Sequence, residues 1–392
     1  MDAQESDYAP APRRRGLRTG LTTGACAAAA VKGACLALEG HRPHAVEVHL
    51  PAGFDATFPL HSLEADGRRA RASVIKDAGD DPDVTHGAEV RAEVELSDSA
   101  PPGLGGGWRV VGRGAVARRL GTRSAVELRA GAGVGVVTRP GLGIPVGGPA
   151  INPVPRRMIT RSVRESLRPL PAHAVITVGI RDGEALARRT LNGRLGIEGG
   201  LSILGTTGVV RPYSTASWRA SVLQGIDVAA AAGCQEIVAS TGGRSEAYAR
   251  RALRGLPEVA FVEMGEFTGH VLKRARERGL RAVHLSGMIG KLSKIACGHF
   301  MTHVAGSQVD AGYLAKLAER AGGDPDLVAA VRASNTARHA QELVTAAGLS
   351  RFSDLLCADV VRSCAALVGP SPRVGVLLFD FEGRLLGRAG VD

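Results

Sequence analysis

Residues 236–254 read E-I-V-A-S-T-G-G-R-S-E-A-Y-A-R-R-A-L-R. A short apolar run over 236–240 ends on Thr241-Gly242-Gly243 and passes straight into a helical stretch over 245–254. Strand, tight turn and helix in that order form the repeating half of a parallel sheet. The same rhythm runs through the neighbouring chain. Further strands are expected at 174–178, 201–204, 259–263 and 281–285, with helices over 214–232 and 267–278 between them. Such repeats predict an α/β, Rossmann-like parallel-sheet domain covered on both faces. After it comes a helical C-terminal stretch, with helices near 310–321, 326–347 and 353–367. A closing strand over 374–381 and a turn leading to Leu385 complete the chain.

Upstream the pattern differs. V-E-V-H-L over 46–50 and A-E-V-R-A-E-V-E-L over 88–96 alternate as half-buried strands do, and one small-residue helix precedes them. This half reads as an α+β domain. Residues 131–155 are too rich in Gly and Pro for a helix and too rich in Val and Ile for a solvated linker, so an ordered loop at the domain junction is expected. The expected division is a disordered tail over 1–16, an α+β domain over 17–165 and an α/β domain over 166–392.

Composition narrows the function classes. The 392 residues carry 49 Lys and Arg against 38 Asp and Glu, a net charge of +11. Such a surplus suits nucleic acid, an anionic surface or a polyanionic small molecule, and equally the Arg-rich usage of a GC-rich genome. The basic residues are scattered rather than interleaved with aromatics, which make up only 4%, and this argues against a nucleic-acid platform. Six cysteines without a CxxC pair fit no zinc module, and a reduced, cytoplasmic protein is the natural reading. No apolar stretch is long enough to span a bilayer.

In an open α/β sheet, ligands bind beyond the C-terminal ends of the strands. Four expected strand ends carry small or polar groups: Gly205-Thr206-Thr207-Gly208, Thr241-Gly242-Gly243, Glu263-Met264-Gly265-Glu266 and Ser286-Gly287. Together they predict a nucleotide-like rim. A Walker loop is missing and no G-x-G-x-x-G follows a strand, so an ATPase and an NAD enzyme are disfavoured. An adenosine ligand remains, with Glu263 or Glu266 accepting from ribose hydroxyls or standing as solvated loop acids. Downstream, Lys291 and Lys294 share a helix face and could grip carboxylates. His299 and His303, four apart, could pair on a metal, but Gly298 interrupts the helix and a proton-transfer or anion-binding role is preferred.

In the first half, R-T-G-L-T-T-G opens the small-residue helix at 18–24. Thr22 or Thr23 can cap it, its free amides favour an anion, and Arg18 stands ready to pair with that anion. Residues 76–87, K-D-A-G-D-D-P-D-V-T-H-G, lack calcium-loop spacing. They read either as a polar active-site loop, with His86 transferring protons and Lys76 holding an anion, or as an acidic surface turn.

Longer motifs then carry a resemblance. R-T-G-L-T-T-G-A-C-A-A-A-A-V-K (18–32), V-I-K-D-A-G-D-D-P-D-V-T-H-G (74–87), G-V-G-V-V-T-R-P-G-L (133–142), G-G-P-A-I-N-P-V-P-R (147–156), L-G-T-T-G-V-V-R-P-Y-S (204–214) and G-M-I-G-K-L-S-K-I-A (287–296) occur in order. The chain resembles the CbiD family of cobalt-precorrin-5B C1-methyltransferases from about Leu17 to Gly387. Leu21 stands where that family usually has an aromatic, and Ala25 where it has a hydroxyl residue. The resemblance implies S-adenosylmethionine as methyl donor and cobalt-precorrin-5B as acceptor, methylated at ring carbon C1 to give cobalt-precorrin-6A in anaerobic cobalamin biosynthesis. Cobalt would arrive only within the substrate, so no protein-bound metal is expected. No nucleic-acid or membrane partner is implied, and self-association is left open. Other readings are a methyltransferase of another corrinoid intermediate and a non-catalytic tetrapyrrole-binding protein. On this reading the donor contacts Gly205, Thr206, Thr207, Gly208, Thr241, Gly242, Gly243, Glu263, Gly265, Ser286 and Gly287. The acceptor's carboxylates contact Arg18, Thr19, Thr22, Thr23, Lys76, Asp77, Lys291 and Lys294. His86 and His299 are the candidate bases.

Overall fold

A computed structural model describes residues 16–302 and 308–390. It is a mixed α/β chain that divides into two compact units after Thr215. No described helix is long and apolar enough to cross a membrane.

The first unit is built on a seven-stranded sheet. Its strands lie in the order Ser62–Asp66, Arg69–Ile75, Glu89–Ser97, His173–Ile180, Ala125–Ala130, Ala115–Arg119 and Arg109–Gly112. All neighbours are antiparallel except His173–Ile180 and Ala125–Ala130, which run parallel. Alternation places Ala70, Ala72, Val74, Val90, Ala92 and Val94 on the covered face, and Arg71, Arg91 and Glu93 on the open one. The helix Thr23–Leu38 lies on the covered face and packs with the helix Pro153–Ser166. Its run of alanines follows from this crowding. A Cβ at Gly33 would lie 2.9 Å from Leu60, and Ala25 to Ala30 are all fully buried or nearly so.

Two expectations are corrected here. The strand over 174–178 and the segment over 201–204 belong to this unit, not to the parallel sheet. The first is His173–Ile180. The second is reduced to Gly200–Leu201, paired with Gly133–Val134, and a bridge from Ile203 to Ile151. The Gly- and Pro-rich stretch 131–155 therefore lies inside the first unit rather than at a junction, and Pro153 begins a helix. Periodicity identifies a strand but does not say which sheet it joins.

The second unit carries a five-stranded sheet in the order Phe261–Glu263, Glu236–Ser240, Ala282–Gly287, Arg373–Phe379 and Leu385–Ala389. The first four strands are parallel and the last is antiparallel. The helices Gly243–Ala252 and Thr268–Glu277 make the first two crossovers, and five helices from Ile289–Ala296 to Arg351–Val368 make the third. The helical stretch expected over 326–347 is two helices, Pro325–Arg332 and Ala337–Ala346. Thr336 caps the second by accepting from the His339 amide at 3.1 Å. In this order the chain reverses direction across the sheet between Glu236–Ser240 and Ala282–Gly287. That is the crevice where ligands bind in sheets of this kind.

Candidate functional site

Three motifs that lie apart in sequence meet in the first unit. Gly20–Leu21 pairs antiparallel with Val209–Val210, the Leu21 amide donates to the Asp77 carbonyl at 2.7 Å, and Thr19 bridges to Gly79. The contact at Gly20 is so close that a Cβ there would lie 2.0 Å from the Ala78 carbonyl carbon. The start of the alanine helix, the acidic loop over 76–87 and the turn over 205–208 thus form one cluster.

The turn over 205–208 sits where an anion was expected. Thr22 caps the helix by accepting from the Ala25 amide at 3.2 Å, and its own amide donates to the Gly208 carbonyl at 3.0 Å. The Gly24 amide donates to the Leu204 carbonyl at 2.9 Å, and Thr23 Oγ1 accepts from the Leu204 amide at 3.0 Å. The Leu204 carbonyl and the Thr22 hydroxyl thus take the Gly24 and Ala25 amides, two of those an anion would have used. Gly205, Thr206, Thr207 and Gly208 therefore do not close a strand of the parallel sheet, and Thr22 and Thr23 are spent on structure. Thr19, Thr206 and Thr207 remain exposed.

The charged residues of the cluster are likewise committed to one another. Lys76 is almost fully buried, and its Nζ donates to Asp83 Oδ2 at 2.6 Å. Asp83 Oδ1 accepts from the amide and the hydroxyl of Thr85 at 2.7 and 2.6 Å. Burial works to raise the Asp83 pKa, but the charge of Lys76 and these bonds outweigh it and hold the carboxyl below its usual range. Arg18 forks onto Asp77, and its amide donates to Asp80 Oδ2 at 2.6 Å. The Arg18 bond and the Gly79 amide bring Asp77 down to about 2. Arg18 and Lys76 are thus paired within the protein, contrary to their expected role as open carboxylate grips.

His86 Nδ1 accepts from the Ala78 amide at 3.1 Å. In neutral imidazole this assigns the proton to Nε2, which leaves a donor and no lone pair for a base. His299 belongs to the other unit, exposed just after Gly298, whose φ of +86° ends the helix Ile289–Ala296 region. His303 lies outside the described residues. Among the described residues no group of three His, Cys, Asp or Glu side chains is placed to hold a metal ion.

The second unit keeps the other expected strand ends together. The Thr241 amide donates to the Ser286 carbonyl at 2.9 Å, and a Cβ on Gly287 would lie 3.0 Å from Thr241 Oγ1, so both flank the crevice. Gly242 caps the helix Gly243–Ala252 with no side chain, and a Cβ there would meet nothing within 4 Å. Glu263 Oε2 lies 3.8 Å from where a Cβ on Gly243 would be. Ser240 Oγ, fully buried at the end of its strand, has no hydrogen-bond partner among the described residues. Gly265 turns with φ +61° against the Trp218 ring.

Lys291 reaches into this rim. Its Nζ donates to the carbonyls of Thr241 at 2.5 Å and Gly265 at 3.3 Å, tying together the loops after two adjacent strands. Burial lowers its pKa, while Glu266 and Glu263 work to restore it. Lys294 Nζ donates to the Thr302 carbonyl at 3.2 Å. The two lysines bind backbone of their own unit rather than presenting themselves as a carboxylate grip. Lys291→Met is expected to lower stability by about 1–3 kcal/mol, because two carbonyls lose a charged donor. Urea unfolding measures this, and an unchanged midpoint would show that the tie contributes nothing.

Sequence reasoning missed Tyr213. Its amide donates to Asp81 Oδ1 at 2.8 Å, joining the 211–214 segment to the acidic loop. No periodicity marks such a residue. It also missed a cavity of about 780 Å³ on the open face of the seven-stranded sheet, whose Glu89 pairs with Arg91 and Arg181, and whose Glu93 pairs with Arg71.

The CbiD profile matches residues 11–212. A relative from Thermus thermophilus is 48% identical over 381 residues, covering 97% of this chain and 96% of that protein. The chain belongs to the CbiD family. A profile for the CbiD C-terminal domain matches residues 301–390. A relative from Salinispora tropica is 49% identical over 369 residues, covering 94% of this chain and 91% of its own. Both relatives carry the name cobalt-precorrin-5B C(1)-methyltransferase. A crystal structure of a cobalamin biosynthesis protein (cbiD) from Archaeoglobus fulgidus is 27% identical, covers 73% of this chain and 82% of that one, and has a TM-score of 0.36. In this CbiD chain the first profile spans the whole motif cluster of the first unit, from Arg18 to Arg211.

Proposed function

We propose that the chain transfers the methyl group of S-adenosylmethionine to C1 of cobalt-precorrin-5B, giving cobalt-precorrin-6A. The observation that carries this reading is the 48% identity to the Thermus thermophilus cobalt-precorrin-5B C(1)-methyltransferase over 97% of this chain. Cobalt enters as part of the substrate.

The second unit is read as Rossmann-like and as the donor side. Its crevice fits an adenosyl group in three respects. Gly242 leaves open space at a helix start with no side-chain cap, Glu263 stands beside Gly243 as an acceptor for hydroxyls, and Ser240 Oγ lacks a partner among the described residues. Thr241, Gly242, Gly243, Glu263, Gly265, Ser286 and Gly287 are the proposed donor residues, with Lys291 holding their loops in place. When bound, S-adenosylmethionine supplies an electrophilic methyl on a sulfonium whose departure as a neutral thioether needs no acid.

The first unit is read as the acceptor side. The turn over 205–208 moves to this side, because it caps the alanine helix there, while Arg18 and Lys76 hold the acidic loop beside it through Asp77 and Asp83. The protein's task is to position the two reactants and to exclude water, which is where most of the acceleration of such a displacement arises. No base is assigned: His86 as hydrogen-bonded offers Nε2–H, a donor. The test is incubation of the full chain with cobalt-precorrin-5B and S-adenosylmethionine. The expected product gains one methyl by mass and places it on C1 by NMR. An unchanged product mass would overturn the reading, and a methyl at another carbon would move it to a different corrinoid step.

A further inference from the structure

We propose that Arg118 and Arg156, set around Trp108 toward one edge of the seven-stranded sheet, grip peripheral carboxylates of a polycarboxylate macrocycle. This rests on the acceptor named above and says which cations meet it. Charge is spread unevenly along the chain. Residues 99–172 hold twelve Arg, no Lys and two acids, Glu127 and Glu165, a surplus of ten where the whole chain carries +11. Both acids are already taken, Glu127 by Arg129 and Glu165 by Arg161 and Lys32. The other ten arginines have no carboxylate partner among the described residues. Toward the opposite edge of the sheet Arg68, Arg69, Arg71 and Arg91 are each paired with a carboxylate. Arg-rich usage alone would not strip the acids from one side only.

Trp108 gathers two of these ten. The Arg118 guanidinium lies 5.7 Å and the Arg156 guanidinium 5.5 Å from its ring centroid. Arg118 follows Val116 by two residues on the strand Ala115–Arg119, so it shares the face whose core includes Ile159 and Val163 of the helix Pro153–Ser166. Its Nε donates to the Arg119 carbonyl at 3.4 Å, and both terminal nitrogens have no hydrogen-bond partner among the described residues. Arg156 is the sharper case. It is only 4% exposed and stands in the first turn of that helix, where the dipole disfavours a cation. Its Nε donates to the Ile151 carbonyl at 2.7 Å and its Nη2 to the Pro149 carbonyl at 3.3 Å. Nη1 has no partner among the described residues and is not closed off from solvent. Desolvation pushes this guanidinium down to about 10. A buried cation without a counter-ion is costly, and an anionic ligand removes that cost.

The indole ring and the backbone carbonyls thus fix both forks without neutralising them, which suits bidentate capture of carboxylates from outside the chain. Two fixed forks around one ring match several carboxylates carried on one rigid frame, because neither partner has to be ordered on binding. A nucleic acid fits less well. Trp108 is the single aromatic residue in 99–172 and is already engaged by two guanidiniums, whereas a single strand needs successive open rings.

The experiment titrates the full-length protein with cobalt-precorrin-5B, followed by the visible absorbance of the macrocycle. S-adenosylhomocysteine binding is measured in parallel by calorimetry. Arg118→Gln and Arg156→Gln are each expected to weaken macrocycle binding about tenfold, the loss of one charge-assisted pair, with S-adenosylhomocysteine affinity unchanged. Added salt should weaken the wild type more than the double variant. Arg168→Gln removes the same charge beyond the far end of the helix and should stay within about twofold of the wild type. Arg156→Gln gives up bonds to two carbonyls. Where it fails to fold, Arg118→Gln, which gives up only the 3.4 Å bond, carries the test. Wild-type macrocycle affinity in Arg118→Gln overturns the proposal, as does an equal loss in Arg168→Gln. An oligonucleotide that binds more tightly than the macrocycle, and is lost in the same variants, would give the surface to nucleic acid and overturn it too. If the wild type binds S-adenosylhomocysteine but not the macrocycle, the acceptor reading itself fails and takes the proposal with it, a result distinct from the others.

Discussion

Lys76→Met is expected to destabilise the chain by about 2–4 kcal/mol at neutral pH, somewhat less than removal of one partner from a fully buried ion pair, because Asp83 is a quarter exposed. Met nearly matches the Lys stem in volume, so little of the loss comes from packing. What remains is the Asp83 carboxylate, set 2.6 Å from an ammonium that is no longer there, with only a quarter of its side chain open to water. Thr85 alone cannot offset that desolvation, because its two bonds were already in place. The second change Asp83→Asn removes the stranded charge, so Lys76→Met with Asp83→Asn should recover part of the loss. Urea unfolding of the two variants measures this, and equal instability in both would sink the argument.

The pH dependence has a definite sign. In the wild type the folded pKa of Asp83 is depressed, so its stabilising contribution is present above the unfolded carboxylate value of about 4 and is lost as pH falls through the folded value. Asp77, held at about 2 by Arg18 and Gly79, behaves the same way, and the acidic loop should loosen as pH falls from about 4 toward 2. In Lys76→Met the partly buried Asp83 carboxyl loses its cation and its pKa rises. Its penalty is then greatest above that raised value and shrinks as the group protonates. The gap between wild type and Lys76→Met should therefore narrow between pH 7 and pH 4. An equal gap at both pH values would mean that Asp83 does not carry the effect.

Local chemistry was legible in the sequence wherever the signal was itself local. The strand at Glu236–Ser240 and its glycine turn could be placed from the 236–254 stretch, because a strand, a turn and a helix follow within nineteen residues. The alternation over 88–96 likewise marked Glu89–Ser97. Long-range partnership was not legible. The strand His173–Ile180 follows a helix as it would in a β-α-β unit, yet it inserts between Glu89–Ser97 and Ala125–Ala130. Both faces of the strand are apolar enough to suit either sheet, so pattern alone could not choose.

The site shows the same limit. Arg18, Thr22, Thr23, Lys76 and Gly205 were picked out singly as groups able to bind a ligand. Their partners turned out to be other residues of the same cluster, at separations of 59 residues for Arg18 and Asp77 and 181 for Thr23 and Leu204. A basic residue beside a glycine turn looks the same in sequence whether an anion or an aspartate completes it. The Ser334-Asn335-Thr336 break between two helices was readable in principle, since Thr with polar neighbours is a helix-start signal. Tyr213 was not, because nothing in its neighbours forces a tyrosine into the left-handed region until Asp81 is folded against it.

Gly205→Ala is expected to cost about 2–5 kcal/mol, through overpacking and the strain of a left-handed residue together. Gly205 has φ +129°, and an added Cβ would stand 2.4 Å from Thr22 Oγ1, 2.5 Å from its Cβ and 2.6 Å from its Cγ2. All three atoms belong to the residue that caps the alanine helix, so the clash also threatens the cap. Thr22→Gly removes all three, and glycine is a tolerable cap that costs a few tenths of a kcal/mol. In that background Gly205→Ala should retain only its backbone strain, leaving a coupling of about 1–3 kcal/mol in a double-mutant cycle. Equal costs in the two backgrounds would show that the turn and the cap are independent. The same variants decide which ligand the turn serves. Since 205–208 caps a helix of the first unit, the folded fraction of Gly205→Ala should bind S-adenosylhomocysteine as the wild type does. If that affinity fell while Thr22→Gly with Gly205→Ala folded normally, the turn would belong to the donor after all, and its place on the acceptor side would have to be redrawn.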